Sequence, residues 1–323
     1  MHGGAGSRQV YRSAALMDFL PLLEKLLPLY ALIALGYVAG KKLNISSQSI
    51  ARLVIYIIVP VAFFGYIARL QPSPAIVFLP LLIWAISAAV LGITWCLARL
   101  VFNDSHVNLS AATAAGVNSG YFGIPVFIML FGEQNLGIYM LAVLGFALNE
   151  VTLVYYTLAR GHYTWRDSLK RLFSLPAFYA SIAGIIFAFI GWHLPAPVLD
   201  FVGQFRSCYV VLGMLMLGLG LSQIRVWGFR WSYVGLSFLG RFGISTLLIA
   251  ALIWINAHSG FWLTAPMRQS LWLLCVLPLA NNIVAYTTDL DLHPDQAAAA
   301  VMLSTLLSAV LILLAAPWLL QIQ

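Results

Sequence analysis

Apolar residues in this chain run in nearly unbroken blocks instead of alternating with polar ones, and each block approaches the roughly 20 residues that a helix needs to cross a bilayer core. Ten such blocks are predicted as helical spans, over 19–39, 47–68, 76–101, 109–131, 136–159, 175–193, 200–222, 231–256, 268–288 and 297–320. The segments between them are short and polar, such as Lys41-Lys42-Leu43-Asn44 and Asn103-Asp104-Ser105-His106. The longest runs from Gly161 through Arg166 to Lys170 and Arg171. No stretch remains from which a separate soluble domain could be built.

Composition turns the pattern into an exclusion. Hydrophobic residues make up 62% of the 323, against roughly 45–50% in soluble proteins, and 8% are charged where about 25% is usual. A solvated surface cannot be assembled from so little charge, so a soluble enzyme is excluded. The net charge of +7 fits basic loops beside an anionic leaflet, and no nucleic-acid partner is expected. Keeping the basic loops inside places Lys41, Lys42, Arg99, Arg160, Arg166, Lys170, Arg171, Arg225 and Arg230 on that side. Arg8, Arg12, Lys25, Arg69 and Arg268 then lie outside, together with both termini. Cys96, Cys208 and Cys275 sit far apart inside apolar blocks, so no disulfide framework or metal spacing is read from them, and no cofactor is expected. Residues 1–16, polar and Gly-rich ahead of Met17, are expected to be a flexible N-terminal tail or a mis-assigned start.

The starts of spans one to five recur 153 to 161 residues later as the starts of spans six to ten. The expected organisation is therefore a first five-helix repeat over 17–160, an inside connecting loop over 161–174 and a second repeat over 175–323. Five is odd, so the second repeat enters the bilayer inverted, an arrangement typical of secondary transporters.

Two matched spans are predicted to break at half depth. Span four carries Asn118-Ser119-Gly120-Tyr121-Phe122-Gly123-Ile124-Pro125, and span nine carries Leu277-Pro278-Leu279-Ala280-Asn281-Asn282. Proline lacks the amide proton and clashes with the carbonyl four residues back, and glycine tolerates irregular dihedrals. Backbone freed inside a bilayer is tolerated only within protein or beside a water-filled cavity, so the two breaks should meet in the interior. Half-helices that restart there present free N–H groups and positive dipole ends, which suits an anionic ligand beside the amides of Asn118, Asn281 and Asn282. The plainer reading treats the prolines as kinks and the asparagines as ties between helices.

Glu150 in span five is a carboxyl in apolar surroundings. It is read either as a proton-coupling group or as half of a structural pair with Arg241 of span eight; Arg241 is alternatively a counter-ion for the substrate. Arg52 and Arg206 lie near span ends and should snorkel to the interface. The acidic stretch Asp289-Leu290-Asp291-Leu292-His293-Pro294-Asp295 is read as a loop whose Pro294 and Asp295 open the last helix, in preference to a metal site.

The Asn118-to-Pro125 segment resembles the Asn-x-Gly-x-x-Gly-x-Pro signature in the fourth helix of the auxin efflux carrier family, whose bacterial members include transporters of malonate, malate and related acids. The Leu277-to-Asn282 segment is similar to that family's ninth-helix pattern Leu-Pro-x-Ala-x-Asn, with Asn282 at the polar position. The resemblance implies an all-α membrane protein of ten helices in two inverted five-helix repeats, with broken helices four and nine crossing, distantly related to bile acid–sodium symporters. It also implies an elevator movement of spans 3–5 and 8–10 against a scaffold of spans 1, 2, 6 and 7, and a homodimer through that scaffold. Asn118, Pro125, Pro278 and Asn282 are implied to surround the substrate carboxylate. The plant members' long central loop is absent, and nothing supports auxin itself as the substrate.

These readings converge on a non-enzymatic secondary transporter of the plasma membrane, or the inner membrane of a bacterium, moving a small organic anion. The expected site comprises Asn118, Ser119, Gly120, Gly123, Pro125, Pro278, Asn281 and Asn282, with Glu150 and Arg241 as coupling or ion-pair residues and membrane lipids as surroundings. Two alternatives are a sodium-coupled symporter of bile-acid-carrier type and a membrane enzyme acting on lipid heads at the 289–295 loop.

Overall fold

A computed structural model describes residues 24, 27–43, 45, 47–159, 166, 170, 173–174, 176–191, 194–222, 230–260 and 263–321. The expected tail 1–16, most of the connection 161–174, and Arg8, Arg12, Lys25, Arg160, Arg171 and Arg225 lie outside the described residues.

Among the described residues, helix occupies part of each stretch where an apolar span is expected. We label the helices α1 (27–42), α2 (47–67), α3 (Ala75–Val101), α4a (His106–Ala115), α4b (Ser119–Phe131), α5 (Leu136–Leu158), α6 (Pro176–Ile190), α7 (Ala196–Ser222), α8 (Trp231–Ser259), α9a (Ala265–Val276), α9b (Asn282–Asp289) and α10 (Pro294–Leu319). Five of them, α3, α5, α7, α8 and α10, are long and apolar enough to cross a membrane. Shorter apolar helices lie at Val54–Ile67 within α2, at α4b and at α6. Large apolar side chains such as Leu247 (70% exposed) and Leu314 (71% exposed) point outward along these helices. In water such a surface would aggregate, whereas in lipid it is the ordinary exterior of an integral membrane protein.

Helix α7 starts at Ala196, four residues earlier than the hydropathy predicts, because Pro197 fits a first turn and Pro195 O accepts the N–H groups of Val198 and Leu199 at 2.9 and 3.1 Å. Pro294 and Asp295 open α10, where proline lacks only an amide proton that would be unpaired in any case and the carboxylate meets the positive helix end.

Four of the helices contain a π-helical turn, over Val54–Ile58 in α2, Ser119–Gly123 in α4b, Glu150–Val154 in α5 and Leu239–Ile244 in α8. Glu150 and Arg241, the two charges expected deep in the membrane, both lie in such turns, which widen the helix and re-aim the side chains after them. Helix α3 packs against α4a and α5, α6 packs on α2, and α9a is held among α5, α8 and α10. The α1 and α7 backbones approach so closely at Gly36 and Gly218 that a Cβ at either would strike backbone atoms of the other helix.

Candidate substrate site

The interruption of the fourth span begins where α4a stops at Ala115. Gly116 turns extended (φ −81°, ψ 129°), and Asn118 leads into the π-helical turn, closed by the Gly123 N–H donating to Asn118 O at 3.1 Å. Pro125 then leaves the Tyr121 carbonyl without its ordinary helical donor. The ninth span breaks after Val276, where Leu277 is extended (φ −76°, ψ 148°), as a residue before proline prefers.

The two extended pieces pair with each other. Val117 and Leu279 form an antiparallel bridge, with Asn118 N–H donating to Pro278 O at 3.0 Å and Ala280 N–H donating to Gly116 O at 3.2 Å. Each break therefore satisfies backbone groups that the other frees, which buried polar backbone requires. Gly116 permits this approach, since a Cβ there would sit 3.1 Å from Ala280 Cβ and 3.2 Å from the Ile283 side chain.

Neighbouring helices close the remaining ends. Asn149 Nδ2 donates to Ala115 O at 3.1 Å, and Arg241 donates from Nε to Leu277 O at 3.0 Å and from Nη2 to Leu274 O. Ser304 Oγ accepts the Leu279 N–H at 3.1 Å while donating to Val301 O at 2.8 Å. Tyr139 O–H donates to Ser119 O at 2.9 Å, and Asn118 Oδ1 accepts the Phe122 N–H at 3.1 Å.

Three buried polar atoms around this meeting point have no hydrogen-bond partner: Asn118 Nδ2, Asn149 Oδ1 and Glu150 Oε1. The Asn282 amide lies beside the Glu150 carboxyl, and Tyr121 is close enough to feel its charge. The Tyr121 ring stacks on Tyr209 of α7 with centroids 5.8 Å apart, and Asn281 lies over Gly220 of the same helix.

Among the expected site residues, Asn118 and Ser119 are buried at the pairing, and Gly120 and Gly123 lie in the π-helical turn, facing the hydroxyls of Tyr209 and Tyr139. Pro125 is buried two residues beyond the turn, and Pro278 supplies a carbonyl to the pairing. Asn281 and Asn282 begin α9b. Glu150 is brought to the same place, but Arg241 does not pair with it: the guanidinium is bonded to Leu274, Leu277 and Ser245. Arg206 of α7 pairs with Glu133 in the connection between α4b and α5. Sequence reasoning missed Asn149, Ser304, Tyr121, Tyr139 and Tyr209, whose roles depend on neighbours distant in sequence.

A second polar cluster joins the connection after α3 to the starts of α8 and α10. Arg230 Nη1 donates to Asp104 Oδ2 at 2.9 Å, His106 Nδ1 lies 3.0 Å from Asp104 Oδ1, and His106 Nε2 lies 3.0 Å from Gln296 Oε1. The His106 and His293 rings stack at 4.3 Å. The Arg230 hydrogen bond, with smaller help from His106, pulls the Asp104 carboxyl down from 3.8 to about 2. His293 and Asp291 hold positive φ of 52°, and no group of His, Cys, Asp and Glu suited to a metal ion occurs among the described residues.

A multi-pass membrane protein with two interrupted helices paired through their backbones is the class that this fold and geometry define. Residues 21–163 match the family model described as membrane transport protein. A protein of Methanothermobacter thermautotrophicus described as an uncharacterized transporter is 26% identical over 308 residues, covering 91% of this chain and 97% of its own length. A second uncharacterized transporter, from Methanocaldococcus jannaschii, is 28% identical over 179 residues, 53% of this chain and 58% of its own.

Proposed function

We propose that the protein is a secondary transporter that carries a small organic anion, a carboxylate of the malonate or malate type, through the meeting point of the two interrupted helices. The observation that carries this reading is Asn118 Nδ2, a buried donor without a partner beside the restarting ends of α4b and α9b. A carboxylate oxygen would accept from that amide while the positive ends of both half-helices stabilise its charge. Ser119, Gly120, Gly123, Pro125, Pro278, Asn281 and Asn282 shape the pocket.

In this reading the two halves, 17–160 and 175–323, are inverted repeats in a ten-span protein whose termini lie outside the plasma or inner membrane. Spans 3–5 and 8–10 move against spans 1, 2, 6 and 7, and two copies join through the latter. Glu150 is the proton-coupling group, because its Oε1 is buried and unpaired next to Asn282 and it makes no ion pair with Arg241. The protein acts as a carrier and not as an enzyme of the 289–295 loop.

A thermal-shift screen of the purified protein against mono- and dicarboxylates tests the site, since a ligand that binds the folded state raises its apparent stability. At least one carboxylate should raise the melting temperature of the wild type, and Asn118→Ala should lose most of that shift. A panel without any shift, or an undiminished shift in Asn118→Ala, contradicts the assignment.

A further inference from the structure

We propose that Arg241 is a tethered cation occupying the place where a coupling sodium ion would otherwise sit, so that carboxylate binding needs no sodium. This rests on the carrier reading above and extends it to the choice of coupling ion.

Arg241 is 1% exposed and among the largest fully buried side chains of the protein. Its guanidinium donates to Leu274 O, to Leu277 O at 3.0 Å and to Ser245 Oγ at 3.1 Å. All three are neutral oxygens, and among the described residues no ion pair involves Arg241. A buried guanidinium bonded only to neutral oxygens is unusual, because an ionised group deep in a membrane protein ordinarily has a counter-charge.

The oxygens explain its tolerance there. Leu274 closes the last turn of α9a and Leu277 is the first extended residue after it, so both carbonyls belong to the negative end of a half-helix. Unwound carbonyls and half-helix C-terminal ends, completed by a hydroxyl such as that of Ser245, form the oxygen set that interrupted helices in transporters offer to sodium. The guanidinium fills that set from the side chain of α8, aimed by the π-helical turn Leu239–Ile244. The matched end of α4a is capped by the neutral amide of Asn149 instead, so only one of the two ends carries a fixed charge.

No substrate reaches the guanidinium directly. The cavity beside it, lined by Ser87, Val117, Phe146, Ser245 and Leu274 among others, is about 10 Å³ in volume. That is room for a single water at most. Arg241 is therefore a positioning residue: it fixes the Leu274–Leu277 turn and places a permanent positive charge behind the anion site.

The test uses purified full-length wild type, Arg241→Ala and Arg241→Lys, melted in sodium chloride or choline chloride, with and without the carboxylates of the screen. The wild type and Arg241→Lys should show the same carboxylate-induced shift in both salts. Arg241→Ala should melt lower in choline, and sodium or guanidinium at about 10 mM, far below denaturing concentrations, should restore part of the loss. A merely structural arginine would not make stability depend on which small cation is present. A wild-type carboxylate shift that requires sodium overturns the proposal, as does an Arg241→Ala protein whose melting is the same as wild type or indifferent to these cations. Should Arg241→Ala fail to fold, Arg241→Lys decides: a sodium-independent shift supports the proposal, and a sodium-requiring one overturns it. A wild type that answers to no carboxylate in either salt contradicts the carrier reading alone, and the cation response of Arg241→Ala still judges Arg241.

Discussion

At the scale of single residues, the proposed ligand site rests on free energy left unrealised where the break between α4a and α4b meets the break between α9a and α9b. A buried polar atom without a partner costs about 1–3 kcal/mol, and Asn118 Nδ2, Asn149 Oδ1 and Glu150 Oε1 are three such atoms in one neighbourhood. Donor and acceptor are both represented, so an acid that takes a hydrogen bond from Asn118, and a proton that lets Glu150 donate one, would relieve the deficit together. Glu150→Gln keeps the shape of the side chain and removes its titration. Uptake by that variant should lose its dependence on pH, measured in vesicles with a fixed substrate gradient. A pH profile identical to that of the wild type would remove Glu150 from the coupling.

Among the elements, the pairing of Val117 with Leu279 holds two half-helices at a fixed separation, and Gly116 sets that separation. Replacing Gly116 with Val would drive methyl groups into Ala280 and Ile283, at an overpacking cost of about 1–3 kcal/mol. Thermal unfolding should therefore show a lower melting temperature for Gly116→Val, and an unchanged one would mean that the two backbones do not approach as described. At the other polar cluster, Asp104 ties the connection after α3 to Arg230. Its carboxyl titrates near 2 when folded and near 3.8 when free, so the stabilisation is complete above 3.8 and disappears as the pH falls toward 2. Wild type should melt slightly above Asp104→Asn at pH 6 and the two should converge as the pH approaches 2. The difference stays small because the Asp104 side chain is half-exposed and screened by solvent. The helices themselves were legible from hydropathy: the third span, expected over 76–101, is helical over Ala75–Val101, and the tenth, expected over 297–320, over Pro294–Leu319. The breaks were legible too, because proline and glycine act through local backbone chemistry. The π-helical turns at Glu150 and Arg241 were not, since they leave the apolar pattern unchanged. The caps from Asn149 and Ser304 depend on tertiary contacts, with a carbonyl 34 residues away for Asn149 and a backbone N–H 25 residues away for Ser304.

For the molecule as a whole, length and apolarity explain why it is a multi-pass membrane protein, and the interrupted helices explain how a polar solute could be held inside it. Lipid solvates the outward leucines and isoleucines, while polar backbone appears only where two breaks shield each other. Such a construction leaves a donor and acceptors without partners at its centre, which is what the proposed carrier would use to bind and release. The most direct measurement is uptake of a radiolabelled carboxylate, chosen from those that shift the melting temperature, into proteoliposomes of wild type and Asn118→Ala. The account predicts saturable uptake by wild type that falls at least about tenfold in Asn118→Ala, equivalent to losing roughly 1.4 kcal/mol of interaction. Equal uptake by the two proteins, or none by wild type despite binding, would contradict it.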